Sequence, residues 1–266
     1  MSASQLLSHP SADGEAQGAK AEAQASAFVP RRPEVTAHVI RDDEEAIRIA
    51  HRLAETFVQE ASIRDRERRL PLKELDEFSQ SGLWGINVPR AYGGAEVSYV
   101  TVAEVIKIIS AADPSIGQIP QNHLAVLDMI RLSADEDQKR FFFAEALRGV
   151  RLGNAFVESG SKTAGDFQTR IARGADGFVV NGRKFYCSGA LLAHLVPVAA
   201  VDETGKLFLA IVERGAPGLT IIDDWSSFGQ RTTASGTVLL ENVAIPASHV
   251  VAAHLAYDQP TANGPV

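Results

Sequence analysis

The residues of this 266-residue chain that could do chemistry are few, and their spacing excludes more than it offers. It has one cysteine, Cys187, and seven histidines, none paired at metal-ligand spacing, so a zinc site is not expected. Cys187, between Tyr186 and Ser188, reads as a small buried hydrophobe and not as a redox thiol. Gly160-Ser161-Lys162-Thr163 looks like the end of a phosphate loop, yet the lysine does not directly follow the glycine. The strand-to-helix unit such a loop needs is also missing. No Gly-x-Gly-x-x-Gly follows a strand, and no Gly-x-Ser-x-Gly elbow is present. These residues leave a fold class to be read, without a reaction.

The elements that must position any site divide the chain in two. Composition is that of a globular protein, 45% hydrophobic, and the length suffices for one large domain or two ordinary ones. Net charge is −7 and the 26 Lys and Arg are scattered, so a nucleic-acid partner is not expected. A single cysteine permits no disulfide framework and favours a cytoplasmic setting. No apolar run reaches the ~18 residues that a membrane span needs, so no membrane partner is expected, and the N-terminus lacks a secretory pattern. Residues 1–35, rich in Ala, Ser, Gly and Gln, read as a disordered tail that ends near Pro30 to Pro33.

From Asp42 the text is helical. Ala46, Ala50, Leu53, Phe57 and Ala61 form one apolar stripe. Pro71 opens a second helix, with Leu75 and Phe78, and Gly82 ends it. A third helix is predicted from Tyr99 to Ala111 and a fourth from Gln118 to Leu132; Ser133 with Glu136 predicts a capping box for a fifth. Near Gly149 runs shorten and turn pairs appear. Asn181-Gly182 between two apolar runs predicts a hairpin, and Asp202 to Gly205 a second. Val238–Leu240 and Val243–Ile245 read as further strand pieces. Helices followed by strands predict an α+β architecture: a helical domain over residues 36–148, a β domain over 149–250, and a helix or linker start over 251–266.

Four segments, in order, resemble the acyl-CoA dehydrogenase family. The first runs from Glu74-Leu75 through Gly82-Leu83-Trp84-Gly85-Ile86-Asn87-Val88-Pro89 to Tyr92-Gly93-Gly94; the second is Asn154 to Gly160. The third is Asn181-Gly182-Arg183-Lys184-Phe185-Tyr186-Cys187-Ser188-Gly189-Ala190, and the fourth spans Phe228 to Gly236 and continues to Glu241-Asn242-Val243 and Pro246. The resemblance covers roughly Asp42 to Val250. It departs from the dehydrogenases at Val157-Glu158-Ser159 and Tyr186-Cys187-Ser188-Gly189. Its Cys187-Ser188-Gly189-Ala190 and its Gly229-Gln230-Arg231-Thr232-Thr233-Ala234-Ser235-Gly236 are closer to the sulfur-acquisition branch typified by dibenzothiophene monooxygenase, which takes reduced flavin from a separate reductase and uses oxygen. That branch generally holds FMN, the dehydrogenases FAD.

The resemblance implies a role for each matching residue. Ser188 would place a hydroxyl near flavin N5, an atom that gains or loses a proton as the ring changes redox state; the alternative is a turn serine. Tyr186 would pack near the isoalloxazine, or be an ordinary strand aromatic. Phe156 and Val157 would lie beside the ring, with the Val157 N–H offered to its pyrimidine edge. Arg231 would reach across a dimer to a flavin phosphate, with Thr233 and Ser235 as companions. Asn122 and His123 would face the substrate side, the histidine as a proton shuttle or as a structural group.

The family continues into a C-terminal helical bundle that supplies the dimer and tetramer interface and one wall of the site. The chain stops at Val266, before it, so the chain made alone is expected to aggregate. The resemblance implies a monooxygenase acting on a small organosulfur compound. Two alternatives stay open: an acyl-CoA dehydrogenase with FAD, and an inactive fragment that acts only through interactions.

Overall fold

A computed structural model of the chain describes residues 28–160 and 166–258. Residues 1–27, positions 161–163 of the phosphate-loop look-alike, and the last eight residues lie outside it.

Helix α1 (Asp43–Phe57) starts where Asp42 accepts a hydrogen bond from the Glu45 N–H, and it buries Ala46, Ile49, Ala50, Leu53 and Phe57. Ala61 does not extend this stripe. A 3₁₀ turn at Val58–Glu60 ends it, and Ala61 opens a separate helix, α2 (Ala61–Glu67). The buried Arg64 guanidinium donates to the Phe57 carbonyl, so the break satisfies a helix-end acceptor. Helix α3 (Leu72–Ser81) follows Pro71 and stops at Gly82, whose φ of 85° favours glycine. A Cβ there would also lie 2.1 Å from the His38 carbonyl oxygen.

Helix α4 (Tyr99–Ala112) is capped by Ser98. Helix α5 (Pro114–Ser133) begins four residues before Gln118, because Asp113 caps it and Pro114 takes its first position. The capping box of α6 (Glu136–Leu147) is formed by Asp135 and Gln138, not by Ser133 and Glu136; Ser133 is the last residue of α5.

The strands are β1 (Arg170–Gly174), β2 (Gly177–Lys184), β3 (Leu195–Val201), β4 (Leu207–Glu213), β5 (Leu219–Ile222), β6 (Thr237–Ile245) and β7 (Val250–Val251). They form a seven-stranded sheet in the order β5-β6-β2-β1-β3-β4-β7. Its only parallel strand pairing among the described residues is β1 with β3. The turn at Asp202 to Gly205 joins β3 to β4 as expected, with Asp202 Oδ1 accepting from the N–H groups of Thr204 and Lys206.

Asn181-Gly182 is not a hairpin turn. It lies inside β2, opposite a bulge in β6, where Val180 faces Val243 and Gly182 faces Leu240. The side chain of Asn181 accepts from the Asn242 N–H at 2.8 Å, so the asparagine serves the bulge. The hairpin itself joins β1 to β2 through Gly174 and Gly177. Val238–Leu240 and Val243–Ile245 are the two halves of one strand, β6.

One apolar cluster runs from Ala50, Phe78 and Ile109 of the helices to Val180, Val198 and Val238 of the sheet. A second joins Leu127, Ile130 and Phe142 to Leu195, Leu209 and Ile211. Helices and sheet therefore share their cores. Residues 28–35, which composition assigns to the tail, pack across this junction. Arg32 pairs with Glu145 of α6 and with Glu213 of β4 at 2.7 Å, Arg214 donates to the Phe28 carbonyl, and His194 bonds the Arg31 carbonyl. Small-residue content hides these contacts, because the strap is held by its backbone carbonyls and one arginine. Among the described residues no helix is long and apolar enough to cross a membrane.

Candidate functional site

Three segments meet at one edge of the sheet: 156–158, the turn after β2, and the loop before β6. Lys184 at the end of β2 donates to the Phe156 carbonyl at 3.2 Å and pairs with Glu158 at 2.5 Å, with the two side chains 0% and 4% exposed. Burial opposes the charged carboxylate, yet bonds from Lys184, Gln168 and Thr169 outweigh it and hold Glu158 below the usual range. For Lys184 burial wins and lowers the ammonium. Next along the chain, Phe185 N–H donates to the Val157 carbonyl at 2.8 Å.

The turn then fastens to the loop. Cys187 N–H donates to Gly236 and Gly189 N–H to Thr233, both at 3.0 Å. Tyr186 takes a left-handed φ of 51° so that Ser188 N–H can reach the Tyr186 carbonyl at 2.9 Å. Ser188 Oγ lies 2.8 Å from Ser235 Oγ, and Ser235 Oγ lies 2.8 Å from Thr233 Oγ1. Thr233 Oγ1 donates to the Gln230 carbonyl at 3.1 Å, which also accepts from Trp225 Nε1 at 2.9 Å. All three hydroxyl-bearing residues are buried. Cys187 is fully buried, and burial pushes its thiol up to about 12, as befits an inert packing residue.

The loop rests on α2. Arg231 N–H donates to Asp65, and its guanidinium donates to the Arg66 carbonyl at 3.1 Å. Arg231 forms no ion pair among the described residues. Beneath it, α2 is anchored by Arg64, which bonds Asp113 at 2.8 Å and Glu74 at 2.9 Å while 1% exposed. Asp113 Oδ1 meanwhile caps α5. Sequence reading missed both this network and the Glu158–Lys184 pair. Asp113-Pro114, a cap followed by a first-turn proline, was the available signal for one partner.

Among the expected site residues, Phe156, Val157, Tyr186, Ser188, Thr233 and Ser235 fall on this one edge. Phe156 is half-buried, and Val157 is exposed with no partner for its N–H among the described residues. Tyr186 is 62% exposed, its ring edge-on to Trp225 at 5.9 Å. Asn122 is half-buried on α5, one turn beyond Ile119, the residue that a Cβ at Gly189 would strike.

His123 is corrected to a structural role. It is 0% exposed, and its Nδ1 accepts from Leu152 N–H at 3.0 Å, which leaves Nε2–H to donate to the Trp84 carbonyl at 2.8 Å. Burial lowers its pKa to about 3, so it is neutral and has no free nitrogen for proton transfer. Among the described residues no group of three or more His, Cys, Asp or Glu could hold a metal ion.

A helical block sharing its core with a mixed seven-stranded sheet, and carrying its polar edge on the strand-to-loop turns, defines an α+β protein of the helix-then-sheet kind. The chain belongs to the acyl-CoA dehydrogenase family: residues 41–150 match "Acyl-CoA dehydrogenase, N-terminal domain" and residues 157–243 match "Acyl-CoA dehydrogenase, middle domain". It is 32% identical over 222 residues to dibenzothiophene monooxygenase of Rhodococcus erythropolis, covering 81% of this chain and 53% of that protein. It is 32% identical over 204 residues to the probable FMNH2-dependent monooxygenase SfnC of Pseudomonas putida, covering 75% and 50%. The FMN-bound structure of TdsC from Paenibacillus sp. A11-2 superposes with a TM-score of 0.71 at 31% identity, over 77% of this chain and 53% of that one. The chain thus spans about half the length of the relatives it matches.

Proposed function

We propose that this chain is the flavin-holding part of a monooxygenase that uses reduced flavin and oxygen to oxidise a small organosulfur compound. The observation that carries the reading is the continuous edge from Val157 through Ser188 to Arg231, where hydroxyls, a backbone donor and a cation converge. What that edge leaves unsatisfied fits a flavin. The Val157 N–H without a partner suits a pyrimidine carbonyl. The exposed Tyr186 ring and the half-buried Trp225 ring suit a flat apolar face. Arg231, whose guanidinium pairs with no carboxylate among the described residues, suits a phosphate. FMN is favoured because SfnC is named as FMNH2-dependent and TdsC is known with FMN bound.

A bound reduced flavin supplies two electrons to oxygen. The residues of this chain would bind and orient it. Ser188 would meet N5, Val157 would hold the pyrimidine edge, and Phe156 and Tyr186 would fix the ring plane and exclude water. Asn122 would offer its amide to the substrate side. Arg231 would hold a phosphate, of its own flavin or of a partner copy in a homo-oligomer. The reading includes a flavin reductase as electron source and, from the single cysteine, a cytoplasmic location.

The test is a visible spectrum of the purified protein titrated with FMN and FAD, followed by oxygen uptake with a flavin reductase and addition of an acyl-CoA. Reductase-dependent oxygen uptake with an organosulfur substrate is expected. Bleaching by acyl-CoA alone would replace this reading with a dehydrogenase. Absence of flavin binding by the complete protein would remove both.

A further inference from the structure

We infer that Thr233 and Ser235 are positioning residues that force Ser188 to act only as a hydrogen-bond acceptor, so that this edge selects reduced over oxidised flavin. The inference rests on the flavin reading above and adds a redox preference to it.

The polarity follows from counting protons. The Gln230 carbonyl can only accept, so the single hydroxyl hydrogen of Thr233 is committed to it at 3.1 Å. In the 2.8 Å contact between Thr233 and Ser235, the donor must then be Ser235. In the 2.8 Å contact between Ser235 and Ser188, the donor must likewise be Ser188. The chain of hydroxyls therefore runs one way, from Ser188 to the carbonyl. Ser188 is left with lone pairs and no hydrogen to give outward.

Burial keeps this order. Thr233 is 1% exposed, Ser235 6% and Ser188 8%, so little water reaches the chain to offer other partners. The surrounding backbone pins the geometry, with Gly189 N–H on the Thr233 carbonyl and Cys187 N–H on the Gly236 carbonyl. Reversing the chain would cost the bond from Thr233 to Gln230. That carbonyl would keep the Trp225 Nε1 donor at 2.9 Å and the longer Thr233 N–H contact at 3.4 Å.

Reduced flavin carries a hydrogen on N5, and oxidised flavin carries a lone pair there. An obligate acceptor at Ser188 bonds the first and faces the second with lone pair against lone pair. Product flavin would then leave more readily than reduced flavin enters, without any change of shape.

The experiment is an anaerobic titration of the full chain with oxidised and with dithionite-reduced FMN, giving the ratio of the two Kd values. Reduced FMN is expected to bind more tightly to the wild type. Thr233→Val removes the committed donor, frees the chain to reverse, and is expected to lower that preference about fivefold, the worth of one net hydrogen bond. Ser235→Ala should lower it similarly, and Thr233→Ser, which keeps the hydroxyl, should retain it. In the flavin-free protein, thermal melts of Thr233→Val, Ser235→Ala and the double variant should be non-additive, as for groups in one network. Additive melts overturn the relay without reference to flavin. An unchanged Kd ratio in variants that still bind FMN overturns it while the flavin reading stands. A wild type that binds neither form overturns the flavin reading, and the redox preference with it.

Discussion

Arg64 and Arg231 stand on the two sides of one contact and are used in opposite ways. Arg64, 1% exposed, has its charge met by Asp113 and Glu74 and a further donor by a backbone carbonyl. Arg231 docks on the same helix, α2, through its N–H on Asp65 and its guanidinium on the Arg66 carbonyl, yet that guanidinium pairs with no carboxylate among the described residues. The same division separates His123, with both ring nitrogens bonded, from the edge that carries Val157, Tyr186 and Phe228 exposed. Groups that hold the fold are satisfied within the chain. Groups left with capacity to spare lie where another molecule would complete them.

The largest effect that would test this contrast is Arg64→Met. It strands two buried carboxylates and is expected to cost about 3–5 kcal/mol in urea unfolding. A loss below about 1 kcal/mol would show the network to be dispensable. The second test is pH. An unfolded histidine takes up a proton near its ordinary value of about 6.5, whereas folded His123 resists until about 3 and His194 until about 4. The unfolded chain thus binds protons first as pH falls. Stability is full above about 6.5 and declines below it, towards 4 for His194 and towards 3 for His123. The melting temperature of His123→Asn should be lower at neutral pH but fall less between pH 6.5 and 4; an identical acid slope would contradict the assignment.

Smaller changes in stability are expected at the other side of the contact. Arg231→Gln should alter unfolding free energy by no more than about 0.5 kcal/mol, while weakening FMN by about tenfold and leaving riboflavin unaffected, because only FMN carries a phosphate. Equal weakening of both ligands would move Arg231 away from the phosphate. Tyr186→Phe should be smaller still, with no measurable shift in melting temperature, since no hydrogen bond of its hydroxyl is present among the described residues.

Much of this fold was legible because it depends on local signals. Asp42, Ser98 and Gly82 mark helix ends by chemistry that acts within a few residues, and Asp202 shapes its own turn. Two of the misreadings arose where residues beyond the immediate stretch decide, while the starts of α5 and α6 were set by local caps at Asp113 and Asp135. Asn181-Gly182 has turn composition, but β6 requires it opposite a bulge. Ala61 continues the stripe of α1, but Arg64 reaches back to end that helix at Phe57. The segments of the candidate site were marked out by family likeness, and the structure brings three of those four segments together at one edge. Glu158–Lys184 and Arg64–Asp113 were not, since a charged pair 26 or 49 residues apart leaves no periodic trace.

The bulge in β6 has a bearing on the hydroxyl loop just upstream. Leu240 and Val243 both point inward although three positions separate them, because Glu241 and Asn242 together oppose the single Asn181. The extra residue re-phases the strand, turning an even-numbered inner face into an odd-numbered one. Delete Asn242 and either Val243 with Ile245 or Val238 with Leu240 must swing outward. Because Ser235 stands three residues before Val238, a single deletion at the exposed Asn242 is expected to shift the strand that anchors the serine-threonine chain.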